Sequence, residues 1–263
     1  GSFAFALNAI VNVLVGRVPF AVGLAIALVA VDEWRRRKHF GASVSAGVVA
    51  LASPVAAAFL ALAAVAFLID AWLDRRWGQP ERIGAWVLGS ASVVLGAVSF
   101  AFRTEGRFPF RFDQALLSLV LIGALAVASG ERVMRIGAAL AAVAAVVVFV
   151  VPNPLGGNFA RITQFLVVPA IGVVAGVSAR RRPWVLAAVI ATGTIWSVQF
   201  GAVAAVAWTG DASVSERYHE PLVDEVQRRN ADGRPVGRLE IPFTENHWEA
   251  YFAAAEVPFA RGW

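Results

Sequence analysis

Residues 41–73 read GASVSAGVVALASPVAAAFLALAAVAFLIDAWL, an apolar run whose single charged residue, Asp70, lies near its end. The run exceeds the roughly 20 residues that a helix needs to cross a bilayer. Its interior is interrupted by Ser53 and Pro54. Proline removes a backbone donor and disfavours helical geometry at the preceding residue. The run therefore predicts two membrane helices in a tight hairpin, and one long tilted helix is the alternative.

Similar apolar runs recur along the chain. Hydrophobic residues make up 59% of the sequence and charged residues 16%, against roughly 25% charged residues in soluble domains. Because the charges fall in short islands, we predict an all-α polytopic membrane bundle of about eight transmembrane helices. Residues 3–15 are apolar but too few to cross, and predict an interfacial stretch or the end of an upstream element. The predicted spans are about 18–33, 41–53, 55–72, 83–102, 113–129, 133–151, 162–179 and 184–208.

Basic residues distinguish the two sides of the predicted bundle. With a break at Ser53 and Pro54, twelve basic residues share one side and five lie opposite. The positive-inside rule places the larger group in the cytoplasm, so both termini are predicted outside it, in a multi-pass protein of the bacterial plasma membrane. Without the break, the two strongest basic clusters fall on opposite sides. The larger group is Arg35, Arg36, Arg37, Lys38, Arg75, Arg76, Arg82, Arg132, Arg135, Arg180, Arg181 and Arg182.

Residues 209–263 have a different composition. They contain ten acidic and six basic residues, whereas residues 1–208 contain eight acidic and seventeen basic residues. We therefore predict a transmembrane domain over 1–208 and an extracytoplasmic soluble segment over 209–263. Ser213 and Glu216 form a capping-box pattern that opens a helix. One face of this helix carries Val214, Tyr218, Leu222 and Val226.

The rest of this segment predicts a strand over 238–243 and a second helix over 246–255. These elements resemble the start of a small α/β domain. We expect the domain to be truncated at the end of the chain, and the chain to begin inside a longer protein.

The composition also excludes several kinds of site. The chain has no cysteine, and its three histidines lie in unrelated places, which excludes disulfides and a cysteine or histidine metal cluster. No cofactor is identifiable, and a divalent metal is left open. The net charge of +5 comes from arginines at the ends of spans, where they serve as anchors. Membrane lipid is therefore the expected partner, and nucleic acid is not.

Two candidate sites lie near the predicted outer ends of spans, where charge needs a partner. Arg17, in Gly16-Arg-Val-Pro-Phe20, either anchors the span at the interface or binds a phosphate or carboxylate. Residues 152–161, PNPLGGNFAR, contain Asn153, Asn158 and Arg161. Glycine and asparagine before a helix can expose backbone N–H groups to an anion. A tight turn with an asparagine cap is an equal alternative.

A third candidate is the loop over 103–113, which interleaves Arg103, Arg107 and Arg111 with three phenylalanines. Such a loop fits lipid headgroups or a polyprenyl chain. The alternative, which we favour, is an aromatic belt with ion pairs to Glu105 and Asp113.

A fourth candidate lies in the soluble segment, where Glu245, His247 and Glu249 could supply acid and base groups. Residues two positions apart do not share a helix face. A capping and folding role is therefore favoured for this cluster.

Four motifs, taken in order, resemble a known group of proteins. They are Gly16-Arg-Val-Pro-Phe20, Ala52-Ser-Pro-Val-Ala56, PNPLGGNFAR at 152–161, and His247-Trp-Glu249 through to PFARGW at 258–263. The group comprises large actinobacterial polytopic membrane proteins similar to the 6-pyruvoyl-tetrahydropterin-synthase-related membrane domain. These proteins in turn resemble C-type (GT-C) glycosyltransferases. The resemblance covers nearly the whole chain.

This resemblance implies a polyprenyl-phosphate sugar donor and sugar transfer on the outer face, for assembly of cell-envelope glycans. It also implies an acidic catalytic residue in the first outer loop, upstream of Gly1, so no catalytic position can be named in this chain. Arg17, Asn153, Asn158 and Arg161 carry over as loop positions. From their chemistry we infer that they bind the lipid phosphate, and Arg107 of the neighbouring outer loop joins them.

The leading hypothesis is therefore the C-terminal membrane portion of a polyprenyl-phosphate-dependent glycosyltransferase. A multi-pass membrane transporter is the first alternative, although the sequence has no paired charges at mid-bilayer and no broken helices in matching halves. A non-catalytic envelope scaffold is the second. The sugar, the acceptor and the oligomeric state are not readable from the sequence.

Overall fold

Each predicted apolar span forms a helix in the computed structural model, which describes residues 2–14, 17–102, 108–178, 183–234, 236–241, 248–254 and 256–259. The apolar run near the N-terminus is also helical. The helices are α1 (Ser2–Leu14), α2 (Val18–Arg35), α3 (His39–Ala52), α4 (Pro54–Leu73), α5 (Gln79–Ala101), α6 (Phe112–Ala128), α7 (Arg132–Val150), α8 (Val168–Ser178) and α9 (Pro183–Trp208).

Four helical segments of the described chain are long and apolar enough to cross a membrane: Pro54–Leu73, Gln79–Ala101, Arg132–Val150 and Gly156–Val174. Helices α3 and α6 are apolar but shorter. The described residues therefore belong to a helical protein with four candidate spans, which indicates a multi-pass membrane protein. The larger count of about eight spans stays a prediction.

The chain forms two compact units, Gly1–Val198 and Gln199–Trp263. Their boundary lies inside α9, because this helix continues to Trp208. The division predicted after residue 208 stays a prediction.

Ser53 separates α3 from α4. Its backbone is extended, with φ −158° and ψ 108°, and its hydroxyl accepts a hydrogen bond from the Ala56 N–H at 3.3 Å. Pro54 begins α4, where a missing N–H costs little. A Cβ on Gly23 of α2 would lie 2.6 Å from the Ser53 Cβ, so only a glycine lets the two helices approach this closely.

The direction of the chain reverses at this break. Near the end of α2, the Trp34 ring lies 5.0 Å from the Phe67 ring of α4. The Gln79 side chain at the start of α5 donates to the Arg37 carbonyl at 3.4 Å. The loops that follow α2 and α4 therefore lie at the same end of the bundle. The predicted break into two helices is confirmed, and the single long helix is wrong. That α3 crosses the membrane stays a prediction.

A third basic loop lies at this same end. Asp70 of α4 accepts hydrogen bonds from Arg132 of α7 at 2.6 Å and from Arg76 at 2.7 Å. We call this end, defined by loops 36–38, 74–78 and 129–131, the basic end. The end where α2 and α4 begin is the aromatic end. The fourth predicted basic cluster, at 180–182, lies outside the described residues.

The second unit contains a 3₁₀ turn at Ala212–Val214, α10 (Glu216–Ala231) and the short α11 (Glu249–Phe252). Asp211 caps the 3₁₀ turn by accepting from the Ser213 N–H at 2.9 Å. The predicted capping box at Ser213 is therefore wrong, because the capping side chain lies two residues earlier.

The buried face of α10 also differs from the predicted face. His219 and Val226 are each 4% exposed, whereas Tyr218 is 57% exposed. The His219 ring nitrogen bonds to the Ser213 carbonyl at 2.9 Å, which satisfies a polar group inside the fold. This bond holds the imidazole on the face that the tyrosine was predicted to occupy.

The α/β character predicted for this unit is not seen. Among the residues that the structure describes, β structure is limited to an isolated bridge between Leu239 and Phe259. The strand predicted over 238–243 continues into residues outside the described part and stays a prediction.

Candidate functional site

Six phenylalanine rings from separate parts of the sequence meet at the aromatic end. They form a contact chain with centroid separations between 5.2 and 6.2 Å and interplanar angles between 57° and 89°. Aromatic quadrupoles favour this edge-to-face packing. We call this group the phenylalanine cluster; in order of contact, its members are Phe110, Phe159, Phe59, Phe20, Phe165 and Phe5.

Arg161 lies on this cluster. Its guanidinium carbon is 4.9 Å from the centroid of the Phe20 ring, within the roughly 6 Å range of a cation–π contact. The Arg161 N–H bonds to the carbonyls of Asn158 and Phe159, at the end of the 3₁₀ turn Gly156–Ala160. The backbone of Arg161 is therefore held at the junction between this turn and the helix that follows.

Arg17 brings a second cation to the same place. Arg17 directly precedes α2, and the Arg161 guanidinium lies over Phe20 in the first turn of the same helix, so both positive charges lie at this end of α2. Both residues are half-buried. Burial lowers the pKa of Arg17 from its ordinary value, because desolvation disfavours the charged form. Arginine still keeps its charge at neutral pH. The two residues therefore form a partly desolvated positive site that an anion would stabilise.

Internal hydrogen bonds hold the turn that carries the two asparagines. The Asn153 side chain accepts from the Gly156 N–H at 2.8 Å and donates to the Val148 carbonyl at 2.9 Å. The Asn158 N–H donates to the Leu155 carbonyl at 2.9 Å. These pairings favour the tight-turn alternative over a row of N–H groups open to an anion. Asn153 thus positions the segment that leads to the arginine.

The loop before α6 lies directly on this turn. Gly156 has φ +40°, and a Cβ at this position would overlap with the Phe108 carbonyl oxygen. The Phe108 N–H donates to the Asn153 carbonyl at 3.2 Å. The absence of a side chain at Gly156 therefore allows the loop to close over the turn.

The phenylalanines of this loop have different environments. Phe110 is buried in the phenylalanine cluster, whereas Phe108 and Phe112 are 51% and 68% exposed. Arg111 forms an ion pair with Asp113 at 3.0 Å, so this predicted pair is confirmed. Predictions for Arg103, Glu105 and Arg107 lie outside the described residues.

The helix after Arg161 passes through a π-helical turn, Thr163–Val167. Such turns are frequent at functional sites. Trp196 donates to the Thr163 hydroxyl at 3.3 Å, and Asn8 of α1 donates to the Gln164 carbonyl at 2.7 Å. These bonds tie α1 and α9 to the site. One face of α1, with Asn8, therefore packs against the described part of the bundle, whereas Ile10 and Val13 on this helix are exposed. The interfacial placement of this run, or its origin as the end of an upstream element, stays a prediction.

In the second unit, Glu249 begins α11 and is 2% exposed. The Trp248 and His219 rings each stack on Phe252 with centroids 5.5 Å apart. This aromatic packing agrees with the favoured folding role of the cluster. Glu245 and His247 lie outside the described residues. The described residues contain no group of three acidic or histidine side chains that could hold a metal ion.

The sequence signal for the phenylalanine cluster was present but not recognised. Phe20, Phe59 and Phe165 each lie within the first turns of an apolar run that begins on the predicted outer side. Their shared depth could have suggested contact.

Comparison of the chain with models of known protein families, with curated proteins and with solved structures gave no match. No family is therefore identified, and the resemblance inferred from the motifs stays a prediction.

Proposed function

We propose that this chain is the membrane portion of an enzyme that transfers sugar from a polyprenyl-phosphate donor during cell-envelope glycan assembly. In this proposal all of the predicted apolar spans cross the bacterial plasma membrane, and the aromatic end faces outward. The observation that carries the proposal is the placement of two half-buried arginines at the start of α2, with Arg17 directly before this helix and Arg161 over Phe20 of the phenylalanine cluster.

The electrostatics of this pair favour an anionic ligand. Both guanidiniums are partly removed from water, where attraction between a cation and an anion is screened less than in bulk solvent. A phosphate beside them would accept charge-assisted hydrogen bonds, which arginine makes with bidentate geometry. The proposed role of both residues is therefore to bind the phosphate of the lipid.

The surrounding aromatic surface favours a lipid-linked phosphate over a free one. Phe20 lies under the Arg161 guanidinium, and Phe165 packs against Phe20 at 5.2 Å. These two rings are buried and support the arginine from below, whereas Phe108 and Phe112 of the neighbouring loop are 51% and 68% exposed. A polyprenyl chain near the phosphate would pack on exposed rings of this kind. Free inorganic phosphate would gain nothing from them.

In the proposed reaction, an acceptor hydroxyl oxygen bonds to the anomeric carbon, and the bond from that carbon to the phosphate oxygen breaks. The hydroxyl proton passes to a carboxylate base. Negative charge grows on the departing polyprenyl phosphate, where Arg17 and Arg161 would stabilise it. Asn153 and the turn before Arg161 act only by positioning the arginine.

Substitution of the two arginines in the full-length protein tests the proposal. We expect Arg161→Ala and Arg17→Ala each to weaken polyprenyl-phosphate binding by roughly 10- to 100-fold, which corresponds to the loss of charge-assisted hydrogen bonds. Arg111→Ala is the matched control, because Arg111 lies at the aromatic end but is exposed and paired with Asp113. It should bind as the unchanged protein does.

Binding is measured in nanodiscs with labelled polyprenyl phosphate, and with polyprenol that lacks the phosphate as the ligand control. Unchanged affinity for polyprenyl phosphate in both alanine variants would contradict the proposed phosphate-binding role of the two arginines. Equal affinity for the alcohol and the phosphate would do the same. Substrate uptake by proteoliposomes, without sugar transfer, would instead support the carrier alternative.

A further inference from the structure

At the basic end, two tryptophans and two arginines surround a surface groove that the proposed function does not use. A groove of about 300 Å³ is lined by Trp72, Trp77 and four aliphatic side chains, Val65, Leu68, Ile69 and Leu88. A second hollow of about 550 Å³ shares both tryptophans and adds Leu73, Arg75 and Arg76. The apolar groove therefore continues into a cationic mouth.

The tryptophans are placed as interfacial residues. Trp72 is 72% exposed and Trp77 is 59% exposed, which is unusual for indole rings in a protein surrounded by water. In a membrane protein, tryptophans collect at the level of the lipid headgroups. The end of α4 and the loop after it therefore lie at the depth where an acyl chain meets its headgroup.

Among the residues that the structure describes, the ion pairs around the groove leave Arg75 without an anionic partner. Arg76 and Arg132 both form ion pairs with Asp70 and Asp74. The hydrogen bond from Arg132 holds the pKa of Asp74 below its ordinary value, so this carboxylate stays ionised and paired at neutral pH. Arg75 is exposed, and no described carboxylate pairs with it.

The next acid along the chain is also engaged. Glu81 is 5% exposed, and its carboxylate accepts a hydrogen bond from the Gly78 N–H at 2.8 Å, in the cap of α5. It therefore does not offer its charge to the mouth of the groove. A net positive charge remains beside the tryptophans.

The backbone holds Arg75 in an uncommon conformation. Its φ of 53° lies in the left-handed region, which normally favours glycine after a helix. The Arg75 and Arg76 N–H groups bond to the carbonyls of Trp72 and Ala71 at 3.0 and 2.8 Å. This motif ends α4 and directs the chain so that Arg75 lines the mouth.

We propose that this groove binds one anionic glycerophospholipid, with an acyl chain along α4 and α5 and the headgroup phosphate at Arg75. The groove supplies apolar contact, the tryptophans supply the interfacial boundary, and the unpaired cation selects a negative headgroup. The site is at the opposite end of the bundle from Arg161. Its test is therefore independent of the proposed sugar transfer.

The chain contains a matched control for this proposal. Arg37 ends α2 in the same way, with φ 61° and N–H bonds from residues 37 and 38 to Trp34 and Glu33 at 2.9 Å. It does not line the groove. Glycine suits the left-handed conformation, so Arg75→Gly and Arg37→Gly both remove one positive charge without straining the backbone.

Native mass spectrometry of the protein released from nanodiscs of equal phosphatidylglycerol and phosphatidylcholine measures the retained lipid. We expect the unchanged protein and Arg37→Gly to retain phosphatidylglycerol preferentially, and Arg75→Gly to reduce that preference about fivefold. Arg75→Lys should keep the preference. An equal loss of the phosphatidylglycerol preference in both glycine variants would mean that the positive charge of the whole basic end attracts the lipid. That result would overturn the proposed site. So would the absence of headgroup preference in the unchanged protein, or an unchanged preference in Arg75→Gly.

Discussion

Gly156 connects the two loops that form the aromatic end. Its φ of +40° lies in the left-handed region, and the Phe108 carbonyl oxygen occupies the space where a side chain would begin. The loop before α6 and the turn before Arg161 therefore touch through their backbones. The sequence showed a Gly-Gly pair at this point, but it did not show which loop would cover it.

We expect Gly156→Ala to lower the free energy of unfolding by about 2–4 kcal/mol, because the added carbon forces the backbone to move and strains φ. Gly123→Ala in α6 is the control, since nothing lies within 4 Å of a Cβ placed there. Its stability should stay the same or rise by about 0.5–1 kcal/mol. Thermal unfolding in detergent compares the two variants. Equal melting temperatures would contradict the loop contact.

Among the helices, α4 and α7 are joined by charge at the basic end. The Asp70 side chain is 13% exposed and bonds to Arg132 and Arg76, which are 42% and 49% exposed. The carboxylate is therefore much less hydrated than its partners. Removal of this charge would leave two arginines near each other without a common anion.

We expect Asp70→Asn to lower the free energy of unfolding by about 1–3 kcal/mol, less than for a fully buried pair because both arginines reach water. Asp32→Asn is the control: Asp32 pairs with Arg36 at 2.7 Å, but the two side chains are 51% and 64% exposed. This change should stay within about 0.5 kcal/mol. A similar loss in both variants would show that the α4–α7 network adds no specific stability.

The helices themselves could be predicted from the sequence because each apolar run is bounded by charges, glycine or proline. The break at Ser53 was predictable for the same local reason: Pro54 disfavours helix before it. Contacts between helices were harder to predict from the sequence. The local sequence does not show that Phe20 contacts Phe165, or that Arg17 and Arg161 lie at the same end of α2. Apolar runs of similar composition do not indicate which runs pack against one another.

Predictions from local patterns were also wrong where more than one residue could cap a helix or turn. Ser213 and Glu216 match a capping box, yet Asp211 caps the preceding turn and Ser215 precedes α10. Asn153 matched a ligand position by residue type, whereas its amide is used by the backbone of the turn. Polar side chains beside glycine can hydrogen-bond to the backbone of their own turn. Residue spacing alone does not distinguish this role from ligand binding.

Across the whole membrane unit, the two ends carry different chemistry. In the described part of the chain, the basic end gathers loops rich in arginine, and the aromatic end gathers the phenylalanine cluster with the half-buried Arg17 and Arg161. The proposed orientation places the basic end in the cytoplasm and the aromatic end outside.

Because the chain has no cysteine, single cysteines can report this orientation in cells. We expect a membrane-impermeant maleimide to label Arg111→Cys and Pro154→Cys in intact cells, because both positions are exposed at the aromatic end. Arg37→Cys and Gly130→Cys, exposed at the basic end, should be labelled only after permeabilisation. Labelling of the basic-end pair in intact cells would reverse the orientation.

The central claim is that Arg17 and Arg161 together bind a lipid phosphate at the aromatic end. A cryo-electron-microscopy map of the full-length protein in nanodiscs with polyprenyl phosphate tests this claim most directly. The account predicts phosphate density at hydrogen-bond distance, about 2.7–2.9 Å, from the Arg161 guanidinium, with Arg17 on its other side. Density for the lipid phosphate at another site, with Arg161 still resting on Phe20 and nothing between the two arginines, would contradict it.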